Sequence, residues 1–442
     1  MKFYNRETEI SILNQQVERS DAQAQMTVIT GRRRMGKTLL ALHFAEQRPE
    51  TQLYFFVSKK SEALLCEEYL EAIKNKMTVP IVGQISTFSE IFSLLLDLSK
   101  QQKLTVIIDE FQEFFNINPS VYSDLQKQWD LQKFQSCRLN LILIGSVYSL
   151  MYKIFENSEE PLFGRADRIL RLKPFTIQTL SSILQDHDIQ DNKTLFDYYL
   201  LTGGTPKYLD IFISRNIKKY DGLLRFILQA DSPFLHEGKH VLIEEFGKEY
   251  HIYFSILQLI ATGHTNSGEI ESILQRNIGG YLERLLVDYA VIAKHNPVDA
   301  KENTKLQKYK IVDNFLIFWF RFIYKNFSAI ENENFEYVRK IIDRDYASYA
   351  GIILERFYLD LFWSSKKYNR IGSYWERGNQ NEIDLVAFND LDRKCVIADI
   401  KTNHKKINLE ILKQKAIKLV QKYPDYEIKY LGLSLDNLSV QP

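Results

Sequence analysis

The chain has 442 residues and a formal net charge of +1, and 26% of its residues are charged. A chain of this length is expected to hold about two to four domains, each large enough for its own core. The nearly balanced charge excludes a protein-wide field that would attract nucleic acid or an anionic membrane, so any such contact requires a local patch.

The sequence predicts a soluble, cytoplasmic protein without a membrane contact. Cys66, Cys137 and Cys395 are far apart and form no metal or redox spacing, which fits a reducing compartment. The first seven residues lack the apolar core of a signal peptide. The richest apolar segment, residues 311–323, is too short to span a bilayer and is interrupted by polar side chains.

The first motif is the sequence Gly-Arg-Arg-Arg-Met-Gly-Lys-Thr at residues 31–38, directly after the apolar run 26–30. It predicts a strand, a glycine loop and a helix, in the G-x4-G-K-T pattern that binds phosphates through backbone amides and a helix N-terminus. Lys37 is expected to reach the β- and γ-phosphates, and Thr38 is expected to bind Mg²⁺. The alternative is a basic turn that matches by accident. The predicted nucleotide-binding residues here are Gly31, Arg32, Arg33, Arg34, Met35, Gly36, Lys37, Thr38 and Leu39.

A second motif follows at residues 104–110, where a continuous apolar run ends in two carboxylates. This pattern is typical of a buried parallel strand that delivers acids to the C-terminal edge of a sheet. Asp109 is expected to hold Mg²⁺ through water, and Glu110 is expected to polarise the attacking water. The alternative is a strand that ends in a solvated acidic turn.

Residues 1–175 alternate strand and helix patterns, which indicates an α/β domain with a parallel sheet covered on both faces. If the strand that ends before Ser146 lies between the two motif strands, Ser146 faces the γ-phosphate. The alternative role of Ser146 is a helix N-cap. The predicted strands are residues 26–30, 52–58, 104–109, 139–145 and 168–172, and the predicted helices are 37–47, 61–76, 87–100 and 120–135.

The middle of the chain is predicted to be helical. Residues 176–240 indicate a helical lid, and residues 241–312 indicate a winged helix with a two-stranded wing. The third helix of this domain offers Arg284 beside acidic residues, which is a poor surface for DNA phosphates. A spacer or interaction module is therefore an equal alternative to DNA binding.

Aromatic residues at helical spacing mark residues 313–345 as a helical connector whose rings are expected to pack in a core rather than stack on bases. The polar run 326–336 is the predicted linker.

The C-terminal region, residues 346–442, contains a second group of acids on a predicted hairpin. Asp384 and Asp399 are placed to share one Mg²⁺, and Lys401 lies on the same strand face as Asp399. Lys401 is then expected to orient or deprotonate a water for attack on a phosphodiester, with Glu355 supplying a further acid.

Lysines follow this hairpin and are the predicted contacts to a nucleic-acid backbone. The alternative is that such acids and lysines only decorate a solvated surface. These lysines are Lys405, Lys406, Lys413, Lys415, Lys418 and Lys422.

The ensemble resembles a prokaryotic group of AAA-superfamily P-loop ATPases that are often labelled archaeal-type, and the resemblance covers nearly the whole chain. It rests on F-x-x-R-x-x-E at Phe3, Arg6 and Glu9 and on the motifs G-R-R-R-x-G-K-T and I-I-D-E. It also rests on the G-S strand end, on P-L-F-G-R at residues 161–165 and on G-G-T-P. The C-terminal region resembles the PD-(D/E)XK nuclease superfamily, with the pattern formed by Glu355, Asp384, Asp399 and Lys401.

The resemblance implies a P-loop sheet with an additional strand, in which the acid strand is not adjacent to the loop strand. It also implies that Phe3 and Arg6 lie near the adenine and that Arg165 serves as an arginine sensor or finger. A structural salt bridge explains Arg165 equally well.

The leading hypothesis is an ATP-hydrolysing, Mg²⁺-dependent switch whose nucleotide state is coupled to a winged helix and a nuclease-like domain that acts on DNA. The rival hypothesis is a non-catalytic regulatory or scaffolding protein that holds ATP or ADP, signals to a protein partner or a second copy of the chain, and has an inactive nuclease-like domain. The third hypothesis is that the protein is a DNA-binding transcription factor.

Overall fold

The computed structural model describes residues 2–79, 84–132, 137–301, 304, 306–436 and 438. These residues form two compact units. The N-terminal unit is Asn5–Lys173, and the C-terminal unit is Pro174–Pro442 together with Met1–Tyr4. The end of the predicted helix 120–135 lies outside the described residues.

The N-terminal unit is an α/β domain built on a five-stranded parallel sheet with the order β2-β3-β4-β1-β5. Its strands are β1 (Gln25–Thr30), β2 (Thr51–Phe56), β3 (Leu104–Asp109), β4 (Leu139–Ile144) and β5 (Arg168–Arg171). Its helices are α1 (Glu7–Arg19), α2 (Lys37–Glu46), α3 (Glu62–Lys76), α4 (Phe88–Gln101), α5 (Phe114–Ile117), α6 (Ser120–Gln132) and α7 (Tyr148–Glu156).

The five predicted strands are confirmed, and so is the additional strand between the two motif strands. Strand β4 pairs with β1 on one side and with β3 on the other. Every residue of β1, β3 and β4 is buried, as expected for central strands covered on both faces. Helices α1, α5 and α7 are absent from the predicted helices.

Local sequence signals explain where helices begin. At the start of α4, the Thr87 hydroxyl accepts a hydrogen bond from the Glu90 amide, and the Glu90 carboxylate accepts one from the Thr87 amide. This reciprocal capping box satisfies backbone donors that the first helical turn leaves open. It stabilises a helix whose buried side chains belong to the same core cluster as Leu53 and Phe55 of β2.

The C-terminal unit is mainly helical and also contains a hairpin and a four-stranded sheet with the order β11-β10-β9-β8. Its helices are α8 (Ile177–Gln185), α9 (Asn192–Thr202), α10 (Pro206–Ser214), α11 (Tyr220–Ile227), α12 (Phe234–Phe246), α13 (Tyr250–Ala261), α14 (Ser267–Leu274), α15 (Gly279–Leu286), α16 (Asn314–Phe318), α17 (Phe327–Glu331), α18 (Phe335–Ser364) and α19 (Leu409–Val420). Its strands are β6 (Ile292–His295), β7 (Lys308–Ile311), β8 (Arg370–Tyr374), β9 (Ile383–Asn389), β10 (Lys394–Lys401) and β11 (Glu427–Ser434).

The segment from α13 to β7 has three helices followed by an antiparallel pair of strands. This is the order of elements predicted for a winged helix, and the assignment itself stays a prediction. The acid-bearing hairpin is present as the antiparallel pair β9 and β10, and β11 adds to β10 in parallel.

The prediction of a linker at residues 326–336 is wrong. This segment contains α17 and the first turn of α18, which Asn334 caps by accepting a hydrogen bond from the Tyr337 amide at 3.3 Å. Most polar residues of the segment are exposed, on the helices and in the turn between them, while Ile330 and the following Val338 are buried in the core. Helix α18 continues without a break past the boundary predicted between residues 345 and 346.

The aromatic residues of the predicted connector lie in the core of the unit, as expected. The Trp319 indole nitrogen donates to the carbonyl of Leu235 at 2.9 Å, and its ring covers Gly238 so closely that a Cβ there would lie 2.2 Å from a ring atom. Rings enclosed in this way are not available to stack on bases. The buried members of this group are Phe315, Phe318, Trp319, Phe320 and Phe322.

A buried carboxyl in α9 makes the stability of the C-terminal unit depend on pH. Burial raises the pKa of Asp197 to about 6, its Oδ1 atom has no hydrogen-bond partner, and its Oδ2 atom is 3.6 Å from Lys193 Nζ. The folded pKa exceeds the unfolded one, so stability is lost as pH rises through roughly 4 to 6. Above that range the folded state carries an ionised, buried carboxylate.

We therefore expect Asp197→Asn to stabilise the protein at pH 7.5, by up to about 3 kcal/mol for a pKa difference of about two units, and to change little at pH 4. Thermal unfolding midpoints at the two pH values measure this difference. The control is Asp231→Asn, which replaces an exposed carboxylate. An equal effect of Asp197→Asn at both pH values would contradict the assignment.

Candidate phosphate site and acidic centre

The loop between β1 and α2 requires glycine at two positions. Gly31 has a φ of +140°, and a Cβ there would lie 2.7 Å from the carbonyl oxygen of Leu172. Gly36 has a φ of +80° and immediately precedes α2. Side-chain-bearing residues rarely adopt these angles, so the two glycines allow the compact loop that precedes the helix N-terminus.

Lys37 is folded back over this loop. Its ammonium group donates to the carbonyl oxygens of Gly31 at 2.8 Å and Arg32 at 2.9 Å, and the residue is only 7% exposed. The ammonium therefore lies beside the loop backbone at the positive end of α2, where a phosphate would be attracted.

Asp109 is the last residue of β3, and its side chain contacts α2. The Thr38 hydroxyl donates to Asp109 Oδ2 at 2.5 Å, and the Glu110 amide donates to Oδ1 at 2.9 Å. Burial raises the pKa of Asp109, although these hydrogen bonds favour its ionised form. A hydroxyl and a carboxylate in contact are hard oxygen ligands, so the pair Thr38 and Asp109 fits Mg²⁺.

Glu110, the residue after β3, has a left-handed backbone with a φ of 55°. Its Oε2 atom accepts hydrogen bonds from Ser146 Oγ at 2.7 Å and from Gln112 Nε2 at 2.5 Å. The N-cap of α7 is Val147, so the alternative that Ser146 is the helix cap is wrong. Ser146 instead connects the end of β4 to the second carboxylate.

Two residues near the predicted site were missed by sequence reasoning. Gln112 donates to Glu110, and Tyr54 of β2 donates to Asp109 Oδ2 at 3.0 Å. Gln112 lies in an unpredicted helical turn after the acid strand, and Tyr54 belongs to a strand without a motif. No spacing in the sequence signals either contact.

Arg6 and Arg165 have structural partners within the N-terminal unit. Arg6 is buried, pairs with Glu9 at 3.1 Å and donates to the carbonyl of Lys173 at 2.8 Å. Arg165 pairs with Asp130 at 3.0 Å, which is the salt bridge that the sequence left as an alternative. Their roles toward a nucleotide stay predictions.

An acidic centre formed by Asp384, Asp399 and Lys401 lies on β9 and β10. The Lys401 ammonium is 2.9 Å from Asp384 Oδ2 and 2.7 Å from Asp399 Oδ1, so it lies between the two carboxylates. On α18, burial and the nearby charge of Asp384 raise the pKa of Glu355 to about 7. Among the described residues, no three His, Cys, Asp or Glu side chains are arranged to hold a metal ion.

The hairpin of β6 and β7 is attached to this C-terminal region. Lys308 pairs with Glu382 at 2.7 Å, and the guanidinium of Arg356, next to Glu355, donates to the carbonyl oxygens of Ile311 and Val312. The hairpin that the sequence predicts as a wing is therefore held against α18 and the start of β9.

Most of the lysines predicted to contact nucleic acid have partners within the chain. Four of them bind acidic or carbonyl oxygens and are thus less available to phosphates. These contacts are Lys413 to Glu410 at 2.8 Å, Lys415 to the Glu382 carbonyl at 3.2 Å, Lys418 to Glu376 at 2.6 Å and Lys422 to Asp299 at 2.5 Å.

Comparison with known proteins identifies two regions. Residues 3–212 match a family described as an ATPase domain predominantly from Archaea, and residues 319–417 match one described as archaeal and bacterial proteins of unknown function. An uncharacterized protein of Methanocaldococcus jannaschii is 30% identical over 409 residues, which cover 90% of this chain and 87% of that protein.

Among solved structures, a Walker-type ATPase of Pyrococcus abyssi is similar with a TM-score of 0.55 at 19% identity, covering 72% of this chain and 96% of that one. The ORC2 protein of Aeropyrum pernix has a TM-score of 0.47 at 14% identity, covering 77% of this chain and 96% of that one. The first likeness supports the P-loop fold of the N-terminal unit. No helix in the described part of the chain is long and apolar enough to cross a membrane.

Proposed function

The chain belongs to the family of ATPases whose domain occurs predominantly in Archaea, and we propose that it hydrolyses ATP with Mg²⁺ at the edge of the N-terminal sheet. The observation that carries this proposal is the common location of the loop, Lys37, Asp109 and Glu110. Asp109 ends β3, Glu110 follows it directly, and Thr38 of α2 contacts Asp109.

The roles follow from these positions. The loop amides and Lys37 bind the phosphates, and Thr38 and Asp109 are the residues that would hold Mg²⁺. When bound, Mg²⁺ would neutralise charge on the transferred phosphate. Glu110 orients the attacking water and accepts its proton. Ser146 donates to Glu110, and in the nucleotide complex it would contact the γ-phosphate instead.

Phosphate release by the purified chain, with Mg²⁺ or with a chelator, and with or without DNA, tests this proposal. We expect turnover that requires Mg²⁺. Stimulation by DNA would support coupling to the C-terminal unit. Tightly held ADP without turnover would contradict hydrolysis and favour the regulatory or scaffolding switch.

The acidic centre supports a second candidate function, Mg²⁺- or Mn²⁺-dependent cleavage of nucleic acid. The supporting observation is that the Lys401 ammonium lies within hydrogen-bond distance of both Asp384 and Asp399, which are on adjacent strands. The two carboxylates would hold the metal ion, and Lys401 would orient the attacking water. The neighbouring lysines that form ion pairs within the chain are less available to the phosphates of a nucleic acid. They therefore favour the alternative, in which this domain does not cleave and has only a binding role.

We expect Asp399→Ala to remove metal-dependent cleavage of single- or double-stranded DNA or RNA, by at least about a hundredfold if the carboxylate binds the metal. Gel assays with and without ATP measure this. Asp425→Asn, an exposed acid before β11, is the matched control. Cleavage that persists in Asp399→Ala, or that is absent from the wild type, would contradict a nuclease centre.

A further inference from the structure

The edge strand of the N-terminal sheet approaches the predicted metal side of the phosphate site. Among the described residues, strand β2 pairs with β3 alone, and Phe56 of β2 lies opposite Asp109 of β3 in the register. Tyr54, two residues earlier on the same face of β2, extends its hydroxyl to Asp109 Oδ2 at 3.0 Å.

This hydroxyl completes a set of three donors around one carboxylate. Asp109 Oδ2 accepts from both Thr38 and Tyr54, and Oδ1 accepts from the Glu110 amide. Because both carboxylate oxygens accept hydrogen bonds, these contacts restrain the position and the plane of the carboxylate. Hydrogen bonds to charged groups are also among the stronger ones in proteins.

The surroundings of Tyr54 indicate that its hydroxyl matters more than its ring. Leu53 and Phe55 point to the other face of β2 and are buried in the core, whereas Tyr54 is 38% exposed and Phe56 is 48% exposed. A ring this exposed contributes less to packing than a buried one. The hydrogen bond to Asp109 is the specific contact that the tyrosine makes and a phenylalanine would not.

We propose that Tyr54 is a positioning residue of the phosphate site that acts through Asp109. It holds the carboxylate in the orientation that Mg²⁺ requires and leaves Thr38 as the second oxygen ligand. This inference rests on the proposed ATPase function, to which it adds a residue from a strand that carries no nucleotide-binding motif.

Tyr54→Phe tests the proposal because it removes only the hydroxyl. We expect kcat to fall about tenfold, the KM for ATP to stay within about twofold, and the Mg²⁺ concentration for half-maximal rate to rise severalfold. Calorimetry supplies a readout without turnover. In chelator, Tyr54→Phe should bind ATP as tightly as the wild type does. Adding Mg²⁺ should raise the ATP affinity of the variant by less than it raises that of the wild type.

Tyr69→Phe is the matched control, because the Tyr69 hydroxyl donates to the carbonyl of Phe56 at 3.1 Å on the same strand and makes no contact with Asp109. It should leave kcat and the Mg²⁺ dependence unchanged. If the Mg²⁺ dependence of Tyr54→Phe equals that of the wild type, the proposal is overturned. A loss of ATP affinity that is the same in chelator as with Mg²⁺ would also overturn it, because such a loss would indicate a general structural role.

The test separates this inference from the proposed function. If the wild type hydrolyses ATP and Tyr54→Phe behaves identically, only the role of Tyr54 is wrong. If the wild type shows no turnover, hydrolysis is wrong. The calorimetric comparison still decides on Tyr54, because a reduced Mg²⁺ effect on ATP affinity supports its role and an unchanged effect overturns it.

Discussion

Replacing Lys37 with alanine is expected to lower ATP turnover by about a hundredfold to a thousandfold and to weaken ATP binding. The ammonium lies at the loop within 2.9 Å of two backbone carbonyls, at the N-terminus of α2. A preorganised cation beside the phosphates stabilises the charge of the transition state, and one such group contributes on this scale. Phosphate release and calorimetric titration with ATP measure the two effects.

The matched control for this variant is Lys103→Ala. Lys103 is also in the N-terminal unit but pairs with Asp21 at 2.8 Å, and the Asp21 side chain is 62% exposed. Surface pairs of this kind contribute little to stability, so this variant should bind and hydrolyse ATP like the wild type. Wild-type turnover in Lys37→Ala would refute the phosphate site.

Glu110→Gln is expected to lower kcat by about a hundredfold to ten-thousandfold while ATP remains bound. The amide keeps the shape of the carboxylate but is a poor proton acceptor. Asp109, which contacts Thr38, is unchanged, so the metal side of the site should stay intact. Single-turnover hydrolysis and ATP affinity, measured on the same preparation, separate the chemical step from binding.

Asp21→Asn, which changes an exposed acid in the same unit, controls for the loss of a carboxylate. A large loss of ATP affinity in Glu110→Gln would show that this residue supports the fold of the site instead of the reaction. An unchanged kcat would assign the attacking water to another group.

The hydrogen bonds of Glu110 also indicate how a bound γ-phosphate would change the strength of this carboxylate as a base. Ser146 and Gln112 both donate to Oε2, so this oxygen is engaged before any water arrives. A γ-phosphate that draws Ser146 toward itself would remove one of these bonds and make the carboxylate a better base.

Sequence reasoning succeeded where the signal is local. The strand, glycine loop and helix at residues 25–46 and the buried acid strand ending at Asp109 were predicted from hydrophobic runs and glycine spacing, and the structure has them. It failed at residues 326–336, where polar composition indicated a linker and the structure has helices. Buried residues such as Ile330 decide that segment, because they join a core assembled from residues throughout the C-terminal unit.

The parallel α/β sheet and the glycine loop can be predicted from the chain alone, because hydrophobic period and glycine position depend on neighbours in the sequence, and the order of the motifs carries the family resemblance. The contacts of Tyr54 with Asp109, of Ser146 and Gln112 with Glu110, and of Lys401 with two carboxylates follow only from the folded structure. These contacts join different strands and turns of the fold. They depend on strand order and register, which pairing between distant segments establishes.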